Sequence, residues 1–377
     1  MYHRYILVAA LVLLSCTWAM QFTTLGTSSL KVSKVCLGTM TWGQQNTEAE
    51  GIDQLNVAFK EYGINFLDTA EMYPVPTKAE TQGRTDLIIA KWLKQQSRDK
   101  VILATKVSGP GIAYLPGRNG QNSRVRPADI TASVDASLQR LGTDYVDLLQ
   151  IHWPDRYVPI FGQTVYNRSL ERDYESFEST LQCLHDLVVA GKVRALGLSN
   201  ESPYGVMKFA QAAEKLGLTK FATLQNSYSL INRVEFDATM NEVCSPRHEN
   251  IALLPYSPLA GGILTGKYAP GSGTSDDVLN KSRLNMFPGY MARYKQSLAV
   301  TAVEKYSKYA KEIGMSTAAL ALGWCYKQPY VASTIIGATS VAQLRENIEA
   351  YSEENMARID CERIDTIHKE CRDPSKI

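Results

Sequence analysis

The sequence predicts a single-domain α/β protein of the (β/α)8, or TIM-barrel, class. Short apolar runs alternate with longer amphipathic stretches from Met20 to the end. The runs carry few polar interruptions, as parallel strands buried on both faces require. There are eight of them, and no Pro/Gly/Ser-rich linker divides the series. A length of 377 residues suits either two or three average domains or one large barrel. Eight β/α units in succession favour the barrel over an open doubly wound sheet.

The predicted strands, in order, are KVCLGTM, INFLDTA, VILATKV, DYVDLLQIH, VRALGLSN, FATLQNSY, IALLPYS and STIIGAT. Between them, segments such as ITASVDASLQRLG and YGVMKFAQAAEKLG have helical periodicity and close on a glycine suited to a helix C-cap. No GxGxxG follows the first strand and no GxxxxGK[ST] occurs, so the nucleotide fingerprints of open sheets are missing. Three connections, 107 to 126, 153 to 173 and 260 to 296, are too long for simple turns. All follow strands and would rise from the carboxyl-end face of a barrel, where active sites lie. Tyr114, Trp153, Tyr157, Phe161, Tyr166 and Phe287 sit in these loops, and Trp42 follows the first strand. Trp42, Trp153 and Tyr114 are the candidates for the wall of an apolar substrate pocket; packing of the loops on the rim is the plainer alternative.

Composition removes several functions. The 40 basic and 38 acidic residues give a net charge of +2, too little to draw a nucleic acid or a membrane surface. Seven cysteines show no CxxC pair and no ligand-like spacing to the five histidines, which argues against a disulfide framework or a metal site. Residues 1–19 combine Arg4, an uncharged apolar run and small residues near Ala19, in the manner of a targeting segment too short for a comfortable membrane span. The alternative is translation from Met20. The first reading implies a secretory or organellar protein, the second a cytoplasmic one. Asn167, Asn200 and Asn280 each begin an NxS sequon.

The chemistry gathers at the strand ends. Asp68 ends the second strand, Lys106 the third and His152 the fourth, and Tyr73 lies just beyond the second. Each has an ordinary explanation alone, Asp68 as a cap for the following turn among them. On successive strands of one barrel they form a device for moving a proton. A phenol gives up its proton poorly at neutral pH; a nearby ammonium favours phenolate, and a carboxylate keeps that ammonium charged. Tyr73 then serves as acid toward a carbonyl oxygen, with His152 orienting that carbonyl. The set has no nucleophile and no metal, so the carbon must be reduced by a hydride from a cofactor.

The phrases GINFLDTAEMYP, ILATKV, DLLQIHWP, GKVRALGLSN, LLPYSPLAGGILTGKY and IIGATSVAQLRENIE, in this order, resemble the aldo-keto reductase superfamily. EMYPVPTKAETQG and QPYVASTIIGAT are similar to its bacterial Tas-type group, and the resemblance spans residues 20–370. It implies that Asp68, Tyr73, Lys106 and His152 match the catalytic tetrad of an enzyme that reduces small carbonyl compounds with NADPH. Ser199, Asn200 and Gln225 suit the nicotinamide carboxamide, and Tyr256 suits the ring face. Small residues in SPLAGGILTGK allow backbone N–H groups to approach a phosphate beside Lys267. The helix start after Gly337 offers a second phosphate site. By the resemblance, Thr39, Met40, Ser257, Pro258, Leu259 and Gly261 also belong to the cofactor site, and Gly337, Thr339, Gln343, Glu346 and Asn347 match the adenosine end. Many relatives carry a basic residue where this chain has Gln343; Arg283, supported by Lys267, is the substitute for holding the 2′-phosphate. A rival reading is a cofactor-bound regulatory subunit similar to potassium-channel β-subunits. That subgroup tends to carry Asn where this chain has His152. Oligomeric state is not legible in the sequence.

Overall fold

A computed structural model describes residues 19–268, 272–287 and 291–375. Apart from Ala19, the targeting-like segment 1–19 lies outside the described residues. The chain opens with an antiparallel hairpin, β1 (Phe22–Thr24) and β2 (Lys31–Ser33). Eight parallel strands follow: β3 (Val35–Gly38), β4 (Phe66–Asp68), β5 (Ile102–Val107), β6 (Val146–Ile151), β7 (Val193–Ser199), β8 (Phe221–Gln225), β9 (Ala252–Leu253) and β10 (Thr334–Ile336). Their order in the sheet is β10-β3-β4-β5-β6-β7-β8-β9. At the two edges, Ala332 N donates to Leu253 O at 3.0 Å and Ile335 N to Pro255 O at 2.9 Å, so the sheet curls until its first and last members lie side by side.

Each of the eight apolar runs contains one of these strands. The seventh is cut to two residues at Pro255, which has no N–H to donate. The helices Pro127–Leu141 and Pro203–Leu216 both start on a proline and end before a left-handed glycine, Gly142 at φ +64° and Gly217 at φ +65°. Thr47 and Glu50 form a reciprocal cap on the helix Glu48–Asn56. Strand residues facing outward join the surrounding helices in one large core, whereas Cys36, Phe66, Ile102 and Leu148 fill a second, inner cluster.

The sequence reading missed the hairpin, whose six strand residues form no extended apolar run. Leu25, Leu30 and Val32 of this segment pack into the inner cluster and stop the amino-terminal end of the curled sheet. Gly26 makes that approach close: at φ +46°, a Cβ there would stand 2.2 Å from Ala222 O and 2.6 Å from Asn250 O. The three long connections follow β5, β6 and β9, at the opposite end from the hairpin.

The hairpin plug gives a paired test by urea denaturation. Gly63 also has a left-handed backbone, at φ +66°, but faces open space. Gly63→Ala should cost about 1 kcal/mol, the backbone term alone. Gly26→Ala should cost about 3 kcal/mol because the added methyl meets backbone oxygens.

Candidate active site

Asp68 is the last residue of β4, and register pairs the neighbouring Lys106 on β5 with Gln150 on β6. All three side chains are buried. The Lys106 ammonium donates to Asp68 Oδ2 at 2.5 Å, to Thr69 O at 2.8 Å and to the Tyr73 hydroxyl at 3.4 Å. The other carboxylate oxygen, Asp68 Oδ1, accepts from Gln150 Nε2 at 3.1 Å and Gln225 Nε2 at 2.9 Å. Gln225 also donates to Gln150 Oε1 at 3.0 Å. Burial alone would depress the lysine's pKa; the Asp68 carboxylate, with Tyr73 beside it, leaves it raised above the ordinary 10.5.

Tyr73 is placed by a turn: its N–H donates to Ala70 O at 3.0 Å and its carbonyl accepts from Gly83 N at 2.9 Å. Its ring meets that of His152 edge-on, with centroids 5.9 Å apart. His152 follows β6 directly. Burial first, and the Lys106 charge second, hold its pKa well below 6.5, so the imidazole is neutral. Its Nδ1 is enclosed without a hydrogen-bond partner among the described residues. The arrangement is a charged, dry lysine beside a phenol, with a neutral imidazole edge-on to that phenol.

The amide-bearing candidates belong to the same hydrogen-bonded unit. Asn200 Nδ2 donates to His152 O at 2.9 Å and to Ser199 Oγ at 3.1 Å, and Asn200 Oδ1 accepts from the Tyr256 hydroxyl at 2.7 Å. Ser199 Oγ donates to Gln225 O at 2.7 Å. With its amide nitrogen so engaged, Asn200 offers no attachment point for a glycan in the folded chain. Thr39 donates from N and Oγ1 to Asp68 O, at 3.2 and 2.9 Å, and Met40 O accepts from Val75 N at 3.0 Å.

Further out, Ser257 (φ +53°), Gly261 (φ +69°) and Gly262 (φ +99°) bend the backbone after β9, with Pro258 buried and Leu259 half-buried between. Lys267 is half-buried, its pKa lowered by burial and then by the charge of neighbouring Arg283. At the start of the helix Val341–Glu349, Thr339 donates from N and Oγ1 to Gln343 Oε1, at 3.1 and 2.9 Å. Asn347 Nδ2 donates to Gly337 O at 3.2 Å, and Glu346 accepts from Ser316 Oγ at 3.3 Å. Arg345 points elsewhere, to Glu61 at 2.7 Å.

The pocket candidates divide. Trp153 stands 5.0 Å from the His152 ring and donates to Pro110 O at 3.2 Å, and Tyr114 is exposed on the loop after β5. Trp42 does not line open space. It is fully buried in the core against Gly51 and Ile88, because the turn after β3 aims it at the helix Glu48–Asn56. Gln150 was missed; a polar residue inside the apolar run DLLQIH was its one signal. Among the described residues no cluster of His, Cys, Asp or Glu is arranged to hold a metal, and no helix is long and apolar enough to cross a membrane.

The depressed pKa of His152 sets a sign for stability against pH. Between its folded value and about 6.5, the unfolded chain binds a proton that the folded chain refuses, so stability falls as pH drops through that window, by up to ~1.4 kcal/mol per unit. Urea midpoints taken from pH 7.5 to 5.5 should fall more steeply for the wild type than for His152→Asn.

A family model described as the aldo/keto reductase family matches residues 34–368. The protein Tas of Escherichia coli is 41% identical over 346 residues, covering 90% of this chain and 97% of that protein. An aldo-keto reductase of Babesia bovis is 40% identical over 288 residues, 74% of this chain and 99% of its own. A probable voltage-gated potassium channel β-subunit of Arabidopsis thaliana is 30% identical over 336 residues, 88% of this chain and 91% of its own. A match running from β3 to the last helix, together with relatives of this likeness and coverage, means that the chain belongs to the aldo/keto reductase family.

Proposed function

We propose that residues 20–370 form one closed (β/α)8 barrel that reduces aldehydes or ketones to alcohols with NADPH. The observation that carries this reading is the Lys106 ammonium, sealed from water between the Asp68 carboxylate and the Tyr73 hydroxyl. Bound NADPH supplies the hydride. Tyr73 gives its hydroxyl proton to the carbonyl oxygen as negative charge grows there, and Lys106 stabilises the phenolate left behind. Asp68 keeps the lysine charged, and Gln150 and Gln225 keep the carboxylate in place. The neutral imidazole of His152 donates a ring N–H toward the same oxygen and adds no charge of its own.

The residues present fit the cofactor. Lys267 and Arg283 are neighbouring cations whose mutual repulsion an anion between them would relieve. The left-handed turn after β9 lets backbone approach a phosphate closely. Ser199, Asn200, Gln225 and Tyr256 border the tetrad, where a nicotinamide ring belongs. Arg283 gives the reading its preference for the 2′-phosphate of NADPH. His152 beside Tyr73 favours turnover over a cofactor-bound regulatory role, because a neutral ring N–H beside the phenol suits a carbonyl oxygen that is gaining negative charge. Trp153 and Tyr114 favour apolar or aromatic carbonyls.

Following NADPH absorbance with a panel of carbonyls tests the assignment. Tyr73→Phe should lower kcat by about 10²- to 10⁴-fold with NADPH affinity unchanged; turnover at the wild-type rate would remove Tyr73 as the acid. Arg283→Ala should weaken NADPH binding about tenfold, ~1.4 kcal/mol, and leave NADH binding within about twofold.

A further inference from the structure

We propose that Glu71 and Arg118 are positioning residues that join the proton donor and the wall of the substrate pocket into one rigid piece. The proposal rests on the reductase reading of Tyr73. Glu71 lies between the anchor and the acid, three residues after Asp68 and two before Tyr73. Its carboxylate is wholly buried; it accepts from Ser108 N at 2.6 Å and faces Arg118 Nη2 at 3.3 and 3.4 Å. Ser108 is the second residue past Lys106, so one carboxylate ties the turn of the acid to the strand of the ammonium. The Glu71 backbone repeats the tie, donating to Lys106 O at 3.3 Å and accepting from Gln82 Nε2 at 2.5 Å.

Arg118 stands in the middle of the connection after β5, a segment with no helix or strand. Its side chain is fully enclosed. One guanidinium faces Glu71, donates to Pro116 O at 2.9 Å and sits 3.2 Å from Asp129 of the helix Pro127–Leu141. The neck of the same loop is closed by Ser123, which donates to Gly109 O at 2.6 Å and accepts from Ile112 N at 3.1 Å. The loop that presents Tyr114 is therefore fixed at its neck by a hydroxyl and at its centre by a cation, and that cation is clamped to the turn of Tyr73.

Burying a charged pair is a costly way to hold a loop, and apolar side chains would do it at less expense. What the planar fork adds is direction: it donates to Glu71 across the site and to Pro116 of its own loop, while its Nε faces the Asp129 carboxylate at 3.2 Å. The same direction is what a bound carbonyl needs. Its oxygen must meet the Tyr73 hydroxyl while its substituent rests against the loop, and a loop that gives way loses its hold on that substituent in ground state and transition state alike, which raises KM.

The test uses the full chain and three variants, Arg118→Met, Arg118→Lys and Glu71→Gln, each read by hydrogen exchange and by kinetics. Amides of residues 109–123 should exchange at least tenfold faster in all three, with exchange in β6 and β7 unchanged. KM for an aromatic carbonyl should rise at least tenfold, while kcat at saturation falls less than threefold and NADPH affinity stays within twofold. Arg118→Lys keeps the charge without the fork and should fail as Arg118→Met does; if Arg118→Met does not fold, the lysine variant carries the same comparison. Unchanged loop exchange overturns the proposal, and so does faster exchange with an unchanged KM. A wild-type chain that reduces no carbonyl contradicts the reductase reading separately, and the exchange arm still decides whether Glu71 and Arg118 tie the turn to the loop.

Discussion

A lysine ammonium with no access to water constrains everything around it. Lys106 cannot be charged at that depth without a counter-ion, and it meets one in Asp68 at 2.5 Å. That carboxylate must in turn be held, and Gln150 and Gln225 hold it from two other strands. Gln225 connects through Ser199 to Asn200, and Asn200 connects to His152 and Tyr256. The site is thus one network across β4 to β9 whose centre is a single positive charge, and only a curled sheet brings those strand ends to one point.

Much of this was legible because parallel strands buried on both faces leave unbroken apolar runs, and because chemistry at the carboxyl end shows as a polar residue closing such a run. Asp68, Lys106, His152, Ser199 and Gln225 all announce themselves in that way. The hairpin does not, since three-residue strands carry too little pattern to stand out. Gln150 hides one residue short of the strand end, inside DLLQIH, where one polar residue between apolar neighbours looks like an exception. Trp42 misleads for the opposite reason: an aromatic just past a strand end reads as pocket wall, and only the direction of the following turn sends it into the core. Glu71 and Arg118 are 47 residues apart, and no local pattern pairs them.

The long connections show how irregular backbone is made firm at such a site. Asp155 gathers Arg124 Nε at 2.7 Å, Val125 N at 3.1 Å and Glu175 N at 2.9 Å, so the loops after β5 and β6 share an anchor. Arg293 donates to Phe161 O at 2.9 Å and joins the loop after β6 to the one after β9. Fixed charges do here what helices do elsewhere on the sheet.

The charge state of Lys106 decides the central claim. Lysine side chains labelled with ¹³C at Cε report protonation by NMR, and Lys106→Met identifies the resonance by its loss. The account predicts that Lys106 remains an ammonium past pH 10.5 and that Asp68→Asn brings its titration down. A Lys106 resonance titrating near neutrality in the wild type, or one indifferent to Asp68→Asn, would contradict it.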